Sequence, residues 1–131
     1  GKFNGESIEK ADFVVSAQCF RVHVVDGHTA SVRVKLRSTS TLEEVIDAIN
    51  NYPNLNLYSS PKNFIEIREE PDRPQPRLDR NNGNGMTITV GRLYPDNIFD
   101  YRFVALSHNT LRGAAGAAVL NAELLIEKGL I

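Results

Sequence analysis

Two side chains with complementary chemistry stand seven positions apart in Cys19-Phe20-Arg21-Val22-His23-Val24-Val25-Asp26-Gly27-His28-Thr29. The guanidinium of Arg21 is a fixed fork matched to a carboxylate or phosphate, and the imidazole of His28 belongs to the class that titrates near neutral pH. In an extended chain, side chains an odd number of residues apart lie on opposite faces. Asp26-Gly27 breaks that alternation, because glycine accepts the positive φ of a tight turn, and His28 can swing back toward Arg21. The pair is half of a site that binds an anionic substrate and moves a proton. A nucleophile and a cofactor would complete it, and neither is evident beside it. The only cysteine, Cys19, is two residues from Arg21, and its expected role is that of a buried structural thiol.

These residues need elements to hold them. Asp12 to Gln18 and Phe20 to Val25 are rich in strand formers and read as one bent strand. Thr29 to Arg37 alternates, with Val32, Val34 and Leu36 on one face and Ser31, Arg33, Lys35 and Arg37 on the other, which predicts a half-buried strand in an antiparallel sheet. Ser40-Thr41-Leu42-Glu43 reads as a capping box before a helix. Leu42, Val45, Ile46 and Ile49 make that helix's buried stripe, and Pro53 follows its end near Asn51. Asn63–Glu69, Met86–Leu93 and Asp100–Ser107 are three further predicted strands.

Between them, Glu70 to Gly85 carries three prolines and two glycines, and it reads either as an exposed linker or as a docking loop. A last helix begins at Asn109, with His108 supporting its start and Gly129 as its stop. Gly113 and Gly116 near its N-terminus imply the close approach of a backbone or ligand. Its amides there suit a phosphate or carboxamide. Leu120, Leu124, Leu125 and Ile126 give it apolar surface on more than one side.

Bulk properties narrow the function. A chain of 131 residues with 41% hydrophobic content can bury one core. A formal net charge of -1 argues against nucleic acid or an anionic membrane as partner. The arginines between Arg68 and Arg92 are offset by Glu69, Glu70, Asp72 and Asp79. A single cysteine fits a reducing cytoplasm, no apolar signal segment opens the chain, and the alanine/glycine run from Gly113 to Leu120 is too short to span a bilayer. There is no metal-ligand pattern, and no Gly-rich turn joins a strand to a helix as dinucleotide binding requires.

Four motifs in order then resemble one family: Cys19-Phe20-Arg21-Val22 leading to Asp26-Gly27-His28-Thr29; Arg73-Pro74-Gln75-Pro76-Arg77-Leu78-Asp79-Arg80; Gly83-Asn84-Gly85-Met86 with Val90-Gly91-Arg92; and His108-Asn109-Thr110-Leu111-Arg112-Gly113-Ala114-Ala115-Gly116. Together they are similar to the C-terminal part of the aspartate-semialdehyde dehydrogenases, closest to the archaeal and fungal branch. The resemblance implies NADPH-dependent reduction of L-aspartyl-4-phosphate through a cysteine thioester. It makes Arg21 the substrate-carboxylate ligand and His28 the general acid/base, and it sets Asn109 and Gly113 beside NADP.

His23 and Phe20 depart from the family pattern, and His23 is expected to be packed or hydrogen-bonded. The family's nucleophile and NADP-binding domain are expected outside this chain, which alone would be inactive. The fold implied is α+β: a mixed, largely antiparallel sheet with helices on one face, plus a C-terminal helix that docks on the nucleotide-binding domain. Residues 1–108 would form substrate-binding and dimerisation structure and 109–131 the docking helix, in a homodimer or tetramer. The alternatives are a relative of malonyl-CoA reductase and a non-catalytic assembly module.

Overall fold

A computed structural model describes all residues, 1–131. Its centre is a four-stranded sheet built from β3 (His28–Val34), β4 (Ile65–Arg68), β5 (Ile88–Pro95) and β6 (Tyr101–Ser107), in the order β3-β6-β5-β4. The pairs β3–β6 and β5–β6 are antiparallel and β4–β5 is parallel, so the sheet is mixed and largely antiparallel as expected. A separate two-residue pairing of β1 (Lys2–Phe3) with β2 (Ile8–Glu9) lies at the N-terminus.

The alternation predicted for β3 is present: Val32, Val34 and Leu36 are half-buried while Ser31, Arg33, Lys35 and Arg37 are exposed. Val34 pairs with Tyr101, whose hydroxyl donates to the Ser40 carbonyl at 2.5 Å and ties the sheet to helix α1 (Leu42–Asn50). All four predicted stripe residues of α1 are half-buried. The capping box is one residue later than expected. Thr41 Oγ1 accepts from the Glu44 amide at 3.2 Å, and Glu44 Oε2 accepts from the Thr41 amide at 2.8 Å. The Ser40 carbonyl accepts from Tyr101, and the first intrahelical bond runs from the Val45 amide to the Thr41 carbonyl at 3.2 Å.

The bent strand expected over Asp12–Gln18 and Phe20–Val25 does not form, and no strand lies between β2 and β3. Its side chains are exposed, Val14 completely so at 98%. A strand needs a neighbour to receive its ladder bonds, and the outer edge of β3 has none. Strand propensity without a partner leaves an unpaired segment with local bends. Cys19 and His23 lie here and are also exposed, contrary to the buried thiol and the packed or hydrogen-bonded imidazole expected, and the His23 ring makes no hydrogen bond.

The proline-rich stretch is the second correction. Of its two readings the exposed linker is overturned: the stretch is an ordered lobe containing helix α2 (Pro76–Asp79) and a tight turn over Asn82–Gly85. Proline at the first helical position of α2 gives up no needed donor. The lobe reaches the sheet at Gly91, where the Arg73 carbonyl and Pro74 leave no room for a β-carbon.

Phe64, Met86 and Leu120 form a small core, with Leu57 and Ile65 packed on it. Leu120 comes from helix α3 (Gly116–Glu127), which follows one wide π turn over Leu111–Ala115. Gly116 lets the Met86 sulfur reach that helix, so the close approach anticipated for one of the two glycines is a side chain of the same core. Gly129 ends α3 at φ 65°, its amide donating to Ile126 and that of Leu130 to Leu125, each at 2.9 Å. Val119, Leu125 and Ile126 of this helix stay exposed. No helix is long and apolar enough to cross a membrane.

Candidate active site

The turn before β3 is the most constrained point near the residues expected to do chemistry. Gly27 is buried with φ 114°, a conformation that L side chains rarely adopt. A β-carbon there would stand 3.2 Å from Leu106 Cδ1, 3.5 Å from Pro76 Cβ and 3.9 Å from Arg80 Cβ. The Gly27 amide donates to Asn109 Oδ1 at 2.9 Å. The turn is thus clamped between β6, the α2 lobe and the residue after His108. His28 emerges from that clamp as the first residue of β3, paired with Ser107 and exposed to solvent.

His108 is buried, and its Nδ1 accepts from the amides of Thr110 at 3.2 Å and Leu111 at 3.3 Å. It supports the start of the C-terminal helical stretch, the role expected for it. Asn109 is half-buried, and Gly113 is exposed. A β-carbon on Gly113 would meet the His108 carbonyl at 3.3 Å, a tight contact with the backbone oxygen that already accepts from the Gly113 amide at 2.9 Å.

Arg21 is in the unpaired segment between β2 and β3, exposed, and in no ion pair. The structure therefore brings His28 and Asn109 to the two ends of one short path through Gly27, while Arg21 stands outside it.

Sequence reasoning treated Asp79 only as a counter-charge on the surface. It is 1% exposed. Arg73 Nε donates to its Oδ2 at 2.7 Å, the Arg73 terminal nitrogen bonds Oδ1, and the Gln75 amide donates to Oδ2 at 2.7 Å. Arg68 Nε lies 3.8 Å from Oδ1. Burial disfavours the charged carboxylate, but the Arg73 hydrogen bonds, the Gln75 amide and the two guanidinium charges outweigh it and hold Asp79 below its ordinary value of 3.8. The signal for this cluster was present as Pro76 opening a helix with an acid in its first turn. Its work is to fold the lobe against which Gly27 packs.

A shallow cleft of about 300 Å³ lies elsewhere on the sheet, lined by Ser31, Arg33, Arg92, Tyr94, Arg102, Phe103 and Val104. It contains none of the residues singled out for chemistry.

A mixed sheet carrying an exposed histidine on a clamped glycine turn, beside the start of a C-terminal helix, has a counterpart among known proteins. The family profile described as "Semialdehyde dehydrogenase, dimerisation domain" matches residues 2–112, and the chain belongs to that family. It is 53% identical over 131 residues to the aspartate-semialdehyde dehydrogenase of Archaeoglobus fulgidus, covering 100% of this chain and 38% of that protein. The Schizosaccharomyces pombe aspartate-semialdehyde dehydrogenase is 52% identical over 130 residues, covering 94% of this chain and 36% of that protein.

The crystal structure of aspartate semialdehyde dehydrogenase with NADP from Candida albicans superposes with a TM-score of 0.70 at 42% identity, over 82% of this chain and 32% of that one. Aspartate semialdehyde dehydrogenase II from Vibrio cholerae, complexed with ASA, gives 0.64 at 27% identity, over 79% of this chain and 28% of that one. The chain spans well under half the length of the relatives it matches.

Proposed function

We propose that this chain is the substrate-binding and dimerisation part of an NADPH-dependent aspartate-semialdehyde dehydrogenase, which converts L-aspartyl-4-phosphate to L-aspartate 4-semialdehyde and phosphate. The observation that carries the reading is the clamped Gly27–His28 turn. It sets an exposed imidazole at the end of the sheet, next to the start of the C-terminal helical stretch, in a chain of this family.

In this reading a cysteine from outside residues 1–131 attacks the acyl carbon, forming a C–S bond while the C–O bond to phosphate breaks. His28 takes the proton the thiol gives up and returns it to the departing phosphate oxygen. Bound NADPH supplies a hydride to the thioester carbon. The C–S bond then breaks to release the aldehyde, and the thiolate recovers a proton from water. Arg21 holds the substrate carboxylate; its fork is exposed and has no carboxylate partner within the chain, which leaves it available.

NADP is held chiefly by a separate domain of the complete protein, since no Gly-rich strand-to-helix turn is present here. Asn109 and Gly113 border it, at the exposed start of the C-terminal helical stretch. Residues 1–108 then form the substrate and dimer side, and residues 109–131 the helix that docks on the nucleotide domain.

The test uses the complete enzyme with aspartate semialdehyde, phosphate and NADP. Arg21→Lys replaces a bidentate fork with a point charge and should raise the substrate KM roughly ten- to a hundredfold with a smaller change in kcat. Unchanged KM would remove Arg21 from the site. Residues 1–131 alone should not turn over, and turnover by them would overturn the division of labour.

A further inference from the structure

Asn109 joins two parts of the chain 82 residues apart, and its side-chain amide is used in a defined direction. Oδ1 accepts the Gly27 N–H at 2.9 Å. Gly27 is buried, so this amide has little access to water as a substitute acceptor. The ladder to β6 begins only at His28, which pairs with Ser107, so it does not hold the peptide before it. Leu106 and Pro76 limit where Gly27 can sit through contacts that carry no direction. The Asn109 side-chain carbonyl is the directional restraint on the Asp26–Gly27 peptide, one residue before His28. The same short run carries the partner of His28 at Ser107, the helix-supporting ring at His108 and the amide at Asn109.

We infer that Asn109 is a positioning residue: it orients the Asp26–Gly27 peptide and through it the His28 imidazole. Oδ1 accepts from Gly27, and Nδ2, a donor, has no hydrogen-bond partner within the chain. Asn109 therefore has a donor to offer a ligand, and a ligand atom bonded to that donor is an acceptor oxygen or nitrogen. One amide links the proton-transfer group to whatever lies against the start of the C-terminal helical stretch. The consequence for catalysis rests on the dehydrogenase reading; the positioning does not.

The experiment compares wild type, Asn109→Ala and Asn109→Asp in the 131-residue chain, reading amide exchange at Gly27 and the ring resonances of His28 by NMR. Alanine removes the acceptor; aspartate keeps the acceptor and removes the donor. Gly27 exchange should be about tenfold faster in Asn109→Ala, as loss of one neutral hydrogen bond allows, with His28 resonances displaced. Both should return close to wild type in Asn109→Asp.

In the complete enzyme, kcat should fall in Asn109→Ala and be largely rescued in Asn109→Asp, while the KM for NADP rises in both. Wild-type exchange and ring resonances in Asn109→Ala would overturn the inference. So would an Asn109→Asp chain that behaves like Asn109→Ala. The exchange measurement needs no turnover, so failure of the dehydrogenase reading would show as an inactive complete enzyme with the Gly27 result intact.

Discussion

The carboxylate of Asp79 sits among two arginines and one backbone amide with almost no contact with water. Its folded-state value is below the ordinary 3.8, so ionised Asp79 adds stability that is complete above pH 3.8 and is lost as pH falls through the folded value. Asp79→Asn leaves Arg73 and Arg68 without their charge partner. It should lower the melting temperature at neutral pH by on the order of 10 °C. It should also flatten the acid limb of a melting-temperature series taken from pH 6 to pH 2. A variant as stable as wild type, with the acid limb unchanged, would make the cluster incidental.

At this scale the sequence was legible where a residue's chemistry is local. His28 after Asp26-Gly27 and His108 before Asn109 stand where a turn and a helix start were expected. Asp79 and Cys19 were misjudged because burial depends on what the rest of the chain brings to them. Spacing cannot report that.

The lobe over residues 70–85 reaches the site through packing against β5 and the Gly27 turn, and Gly91 is its contact point. Gly91 has no room for a β-carbon against the Arg73 carbonyl, which is backbone and cannot rotate away. Gly91→Ala should lift the lobe and destabilise the domain by about 1–3 kcal/mol, the usual range for overpacking. It should also speed amide exchange at Gly27, which that lobe covers. A denaturant midpoint equal to wild type would show that the lobe is loosely held.

Elements with a strong period were readable in advance: the alternation of β3 and the Leu42-Val45-Ile46-Ile49 stripe of α1 need only their own residues and one face to bury. The unpaired 12–25 segment was not, because strand propensity says nothing about whether a neighbour exists. The ordered lobe was not, because its fold rests on an ion cluster among residues with loop-like composition.

Taken whole, the molecule leaves much apolar surface uncovered: Phe13, Val15, Phe20 and Val25 are each at least 70% exposed, and Ile126 on α3 is 63% exposed. Surface of this extent marks contact with other protein, in keeping with a dimerisation domain. Sedimentation of the 131-residue chain over rising concentration should therefore show self-association. A clean monomer that binds no hydrophobic dye would count against it. In the proposed function His28 moves a proton in a phosphorylating dehydrogenase.

Its most direct test is a pH series of kcat/KM for the complete enzyme and its His28→Asn variant, with aspartate semialdehyde, phosphate and NADP. Asparagine tolerates the position after the turn, so the fold should persist. The predicted result is phosphate-dependent NADPH formation that falls roughly 10²- to 10⁴-fold in the variant, with the imidazole-controlled limb of the pH profile lost. A variant within about threefold of wild type, with the same profile, is too active for a missing general acid/base and would contradict the claim.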